Sequence, residues 1–315
     1  MTGAAILLVY AASVGTVGSG LLGRARWVVR APLLGIVTYL AAAWSVVAAF
    51  GLAGLTLAVH ATALGGGLSH LIGACVLRLR ATYATPGGAT VAGLGLILAG
   101  AVLARTALTA LTHVRAVRRQ AVRHAQTARL VGRPDPDLGA TLVEHVQPAA
   151  YCVAGPHPTV ILTTAARQAL SPEQLDAVLA HERAHLASHH HRLLAIARIG
   201  RQALPFLPLM RVADTQITRL VEMHADDAAT AGRDTGPLAT ALVVLAAGAG
   251  PAPGLAAATT DAVQRVQRLL RPGDPLSRLR RQLLGAGAAV LAVTPVLLAL
   301  TPAIVALALG RVPAA

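Results

Sequence analysis

Residues 171–187 read SPEQLDAVLAHERAHLA. Ser171 suits a helix N-cap, Pro172 the first turn, and Gln174, three residues past Ser171, can complete a capping box. Leu175, Val178, Leu179, Leu186 and Leu193 continue as an apolar stripe at helical spacing. This helix carries His181-Glu182-Arg183-Ala184-His185. Four residues turn a helix through about 400°, so the two imidazoles leave one face about a turn apart and can share one metal ion at about 2.0–2.1 Å. Glu182 leaves at another angle, suited to a water beside the metal, whose proton it would accept. With 12 His in 315 residues, a shuffle of this composition yields roughly 0.006 matches to the motif. The pattern therefore reads as chemistry.

Catalytic zinc usually keeps three protein ligands and one open position. Two residues compete for the third place. Glu222 lies on a second helix expected over about 212–230, in the run LVEMHADD of residues 220–227. Asp226, four residues on and on the same face, would hydrogen-bond a zinc-bound histidine's other ring nitrogen. His191 follows His181 by ten residues, a spacing similar to the metzincin pattern. That pattern needs a glycine turn where this chain has Ser188, and 192–199 continue an amphipathic helix. Glu222 is the favoured ligand, and 189–191 read as a polar exit from the helix. Arg219, one turn before Glu222, and His224 are the candidate stabilisers of an oxyanion. Arg219 is equally placed to pair with Asp226 or Asp227.

Outside this core the chain is apolar. Hydrophobic residues make up 55% and charged residues 13%, against roughly 25% charged in soluble domains; mean hydropathy is +0.62. Disorder, a collagen-like fibre and a disulfide-rich secreted module are excluded. Spanning helices are expected over 4–22, 33–59, 89–111 and 283–310, the third with Arg105 snorkelling and the last interrupted by Pro295 and Pro302. Residues 68–80 read as a short interfacial helix. All 27 cations are Arg, and the net charge is +14. Arg24, Arg26 and Arg30, then Arg115, Arg118, Arg119 and Arg123, then Arg278, Arg280 and Arg281 collect at span ends. With both termini outside, these clusters face the cytosol; Arg78 and Arg80 argue the other way. Aromatics are few and unpatterned, so direct nucleic-acid binding is not expected. Cys75 and Cys152 fall on opposite sides of this topology and form no disulfide framework. Within 112–282, residues 151–153 and 159–162 read as strands joined by a turn at 155–158, and 246–258 as a loop.

The stretch 151–227, with LSPEQLDAVLAHERAHL, HHHR and LVEMHADDAA, resembles the BlaR/MecR-type membrane metallopeptidases, the beta-lactam sensor-transducer group, in particular their shorter actinobacterial members. The Glu-x-x-x-Asp element is similar to that of the related HtpX and CAAX prenyl protease group. The apolar runs and arginine clusters divide a mainly α integral membrane protein into a membrane domain over 1–111, a cytosolic domain over 112–282 and a C-terminal spanning helix over 283–315; the resemblance implies that the cytosolic domain is a gluzincin-like α+β zinc peptidase. It implies one Zn2+ per chain on His181, His185 and Glu222, Glu182 as base, and residence in the cell membrane. In the sensor-transducer relatives proteolysis inactivates a cytosolic transcriptional repressor, so a protein or peptide substrate of that kind and the lipid bilayer are the expected partners. A quality-control peptidase of the HtpX/CAAX type and a non-catalytic zinc-fold signalling protein are the alternatives. Those sensors add an outer penicillin-binding domain with a Ser three residues before a Lys; this chain contains no Lys and runs five residues past Gly310. The sensing half of the family's function is not expected here.

Overall fold

Long uncharged stretches become long helices. A computed structural model describes residues 2–58, 88–155, 157–248, 255–271 and 273–308; the expected interfacial helix at 68–80 and Cys75 lie outside them. Helix α1 covers 2–23, with a π-helical stretch over Val14–Gly18. It is followed by α2 (Trp27–Arg30), α3 (Pro32–Ala58) and α4 (Gly88–Val131). Helix α11 (Arg278–Ala308) lies near the C-terminus and runs through both Pro295 and Pro302. Four segments are long and apolar enough to cross a membrane: Gly3–Gly23, Pro32–Leu57, Gly93–Gln120 and Arg278–Thr301. The division expected at residue 111 falls inside α4. Residues 112–131 contain no Gly or Pro, so nothing ends the helix until Gly132 and Pro134. Where α3 meets α4, a Cβ on Gly54 would overlap the Gly95 carbonyl and Ala99, so backbone approaches backbone there.

Between α4 and α11 the chain forms a four-stranded sheet and a set of helices. The strands are β1 (Arg133–Asp135), β2 (Ala140–Val143), β3 (Ala150–Val153) and β4 (Thr159–Thr163), in the order β1-β2-β4-β3. The expected hairpin is β3–β4, antiparallel with Tyr151 opposite Ile161; β2 lies parallel to β4 on its other side, leaving β3 at an edge. Helices α5 (Thr164–Ala169), α6 (Pro172–Ala187), α7 (His190–Ala203), α8 (Pro208–Ala229), α9 (Gly236–Gly248) and α10 (Leu255–Leu270) follow. Of the loop expected over 246–258, residues 246–248 and 255–258 are helical, and 249–254 lie outside the described residues. Val160 and Leu162 of β4 pack against Leu175, Val178 and Leu179 of α6, each large side chain contributing about 1.5–3 kcal/mol by burial.

Helix α8 packs along α3. Ile217, Leu220, Val221 and Met223 cluster with Val28, Ile36 and Tyr39, and Leu220 sits against Gly35. At the other end of α8 the corner joining it to α7 is lodged among the candidate spans. There Ala203, Leu204, Leu207, Leu209 and Met210 share a cluster with Leu7, Ala42, Val46 and Ala53. Arg105, expected to snorkel, is exposed, and its guanidinium donates to the Ala203 and Gln202 carbonyls at the C-terminal end of α7.

Candidate metal centre

The capping box sets the start of α6. Ser171 N–H donates to Gln174 Oε1 at 3.0 Å, and Gln174 N–H to Ser171 Oγ at 3.3 Å. With that phase, Val178 and Leu179 meet the sheet, while His181 and His185 turn toward α8. The register of α8 on α3 in turn presents Glu222 and Asp226 to the same place.

His181, His185 and Glu222 offer ligand atoms that all lie within 4.8 Å of one another. The two Nε2 atoms are 3.1 Å apart, and each is 3.6 Å from a Glu222 oxygen. A tetrahedral cation bonded at about 2.05 Å spaces its ligand atoms by about 3.3 Å, so the donor set fits one zinc-sized ion. The other ring nitrogens are held from behind. His181 Nδ1 lies 3.0 Å from Asp226 Oδ1. His185 Nδ1 lies 2.9 Å from His190 Nδ1, and His190 Nε2 lies 2.9 Å from His224 Nδ1. Both Nε2 atoms are thereby directed at the shared point.

His190 corrects the polar-exit reading of 189–191. His189 takes the left-handed conformation (φ 52°) between α6 and α7 and swings His190, 1% exposed, back under His185. The turn sought at Ser188 thus occurs one residue later. His191 is exposed, its ring against His189, outside the ligand cluster. One imidazole, that of His190, stands between His224 and the cluster.

Asp226 is 1% exposed, and a carboxylate so buried must be paired. Arg265 of α10 grips it with both arms, Nη2 to Oδ1 at 2.6 Å and Nε to Oδ2 at 2.8 Å, and reaches Glu222 Oε2 with Nη1 at 3.0 Å. Burial opposes the charge on Asp226, but Arg265 and His181 prevail and hold its pKa at about 2. Burial likewise opposes charge on His181, yet the Asp226 and Glu222 carboxylates keep its pKa at about 9. His185 is pushed down to about 4, chiefly by burial. Glu222 stays below the ordinary carboxylate range: burial would raise it, and His181 and Arg265 outweigh that.

Glu182 lies on the sheet side of α6, beside the thiol and backbone of Cys152 on β3. Burial first, with Glu222 adding to it, pushes its pKa above the ordinary carboxylate value. The Cys152 thiol rises to about 12, from burial and the same carboxylate, so it stays protonated.

Arg219, the other candidate oxyanion stabiliser, is placed elsewhere. It lines a cavity with Arg26 and Arg30. Asp226 and Asp227 take other partners, Arg265 and Arg268. The cation beside the ligand set is Arg265, which motif reading missed because 39 residues separate it from Asp226. Its available signal was the amphipathic run Val263, Val266, Leu269 and Leu270 with Arg265 and Arg268 at helical spacing.

Residues 115–245, less than half of the chain, match peptidase family M48. No curated protein and no solved structure matches. The matched segment contains the ligand cluster, Glu182 and Asp226, and ends before Arg265. It supports a family M48 metallopeptidase associated with membrane-spanning helices. It does not extend to the BlaR/MecR-type group.

Proposed function

We propose that the chain is a gluzincin-type zinc endopeptidase that cuts protein segments at the cytosolic face of the plasma membrane, in regulatory proteolysis. The observation that carries this reading is the convergence of His181, His185 and Glu222 on one point, with Glu182 beside them. Bound zinc supplies Lewis acidity, polarising the scissile carbonyl and easing the ionisation of water. Glu182 takes a proton from the attacking water and returns it to the leaving amine; its raised pKa suits a group that must do both near neutrality. Arg265, 3.0 Å from Glu222, places positive charge beside the carbonyl as its oxygen becomes anionic. Among the described residues β3 is an edge strand, next to Glu182, so an extended substrate can add to the sheet there.

The register of α8 on α3 supports a site at the membrane surface. Leu220 meets Gly35, so Glu222 lies near the level of Pro32, where the second candidate span begins. Arg26 and Arg30, from the segment joining the first two spans, line the same cavity as Arg219 and Arg268. That supports one common side for the segment and the peptidase domain, and the positive-inside rule makes it cytosolic. A cytosolic transcriptional repressor is the first substrate class to examine. Membrane quality control is the second reading, favoured by a site level with the start of a span, within reach of membrane-protein segments.

The test is cleavage of β-casein by the full chain in zinc-loaded proteoliposomes, with Glu182→Gln as comparison. The substitution is expected to keep one zinc per chain and to lose roughly 10²–10⁴ in rate. Undiminished cleavage by Glu182→Gln overturns the reading, including in favour of a fold that signals without turnover. Proteins trapped by Glu182→Gln in cells divide the two substrate classes: one soluble repressor for regulation, many membrane fragments for quality control.

A further inference from the structure

Along α8 from the ligand cluster, a cavity of about 1020 Å³ lies between α2, α8 and α10. Five guanidinium groups line it, those of Arg26, Arg30, Arg219, Arg268 and Arg271, against the single carboxylate of Asp227. They come from three distant parts of the chain, so the convergence is made by folding. Arg268 is accounted for: Nη1 lies 2.6 Å from Asp227 Oδ1, and Nε donates to the Val29 carbonyl at 3.1 Å, tying α10 to α2. Arg26, Arg30, Arg219 and Arg271 have no ion pair among the described residues. Arg219 adds an independent sign, because its Nε is buried with no acceptor among the described residues. A buried donor on a charged group is costly unless something answers it.

We infer that this cavity binds the phosphate group of an anionic phospholipid. Guanidinium groups match phosphate oxygens in charge and fork geometry, and the volume exceeds what one headgroup needs. The membrane is favoured over a soluble phosphate as the source by two features. Arg26 and Arg30 stand between the end of the first candidate span at Gly23 and the start of the second at Pro32, at the depth of lipid headgroups. Val29 and Leu270 add apolar wall beside the guanidinium groups, suited to the glycerol ester portion of a lipid and of no use to free phosphate. This inference concerns binding and stands whether or not the chain is a peptidase.

The test is equilibrium binding to the full chain, purified in detergent and stripped of lipid. The probes are dihexanoyl phosphatidylglycerol, dihexanoyl phosphatidylcholine and inorganic phosphate. Phosphatidylglycerol is expected to bind at least tenfold tighter than phosphatidylcholine. The exposed pair Arg26→Gln/Arg30→Gln should weaken it by roughly tenfold or more, and Arg219→Gln likewise, while Arg211→Gln, an exposed arginine elsewhere on α8, leaves it unchanged. Inorganic phosphate binding as tightly as phosphatidylglycerol overturns the lipid assignment and makes the cavity a site for soluble phosphate. Equal binding of the two lipids, or an undiminished affinity in Arg26→Gln/Arg30→Gln, overturns the site itself. The exposed positions of that pair guard against loss of binding through misfolding of Arg219→Gln.

Discussion

Asp226 and Asp227 are neighbours in sequence and face opposite worlds. Asp226 is sealed against α6 and α10, where Arg265 and His181 answer its charge atom by atom. Asp227, with 44% of its side chain exposed, holds one arginine at the rim of a cavity in which cations outnumber anions five to one. The contrast shows how burial governs pairing. Where water is excluded, each charge has a fitted partner; where the wall stays open, exposed arginines such as Arg26 and Arg30 go unpaired and remain available to a ligand.

Breaking the sealed side should have the largest effect. Arg265→Gln leaves Asp226 and Glu222 facing each other without their common cation and is expected to cost about 3–5 kcal/mol of stability, measured by denaturation of the purified full chain. A cost below about 1 kcal/mol would show that the grip seen on Asp226 is not needed. Next in size is the pH dependence of zinc affinity. In the metal-free chain His181 keeps a proton up to about pH 9, whereas His185, at about 4, is already neutral at pH 7. A cation must displace the one proton, so affinity should rise about tenfold per pH unit between about 7 and 9 and then level off. Competition with a chelating indicator measures this, and a flat profile would contradict the paired state of His181. The smallest effect belongs to the open side: Arg271→Gln, in lipid-free detergent, should alter stability by no more than about 0.5 kcal/mol.

These two sides were unequally legible in the sequence. The helix bearing His181, Glu182 and His185 and the one bearing Glu222 and Asp226 announce themselves through local spacing, and the spans through uninterrupted apolar runs. Arg265 does not, because its role depends on where α10 returns after a stretch that reads as loop. His190 does not either. Three histidines in a row have no readable phase until His189 takes its left-handed turn. Strand β1 is three residues and β2 four, too short for an alternation to show. The lodging of 203–210 among the spans is a matter of apolar surface meeting apolar surface, which no periodicity encodes.

That last feature bears on what the peptidase is. A truncated version beginning at 112 would uncover Leu204, Leu207, Leu209 and Met210 and remove Arg105 from the end of α7. It would meet water with a greasy wedge and a frayed helix, and aggregation is its expected fate. On the proposed reading, the bundle of candidate spans forms a wall of the catalytic domain, so a tilt of that wall would be felt at Glu222 through the shared length of α8.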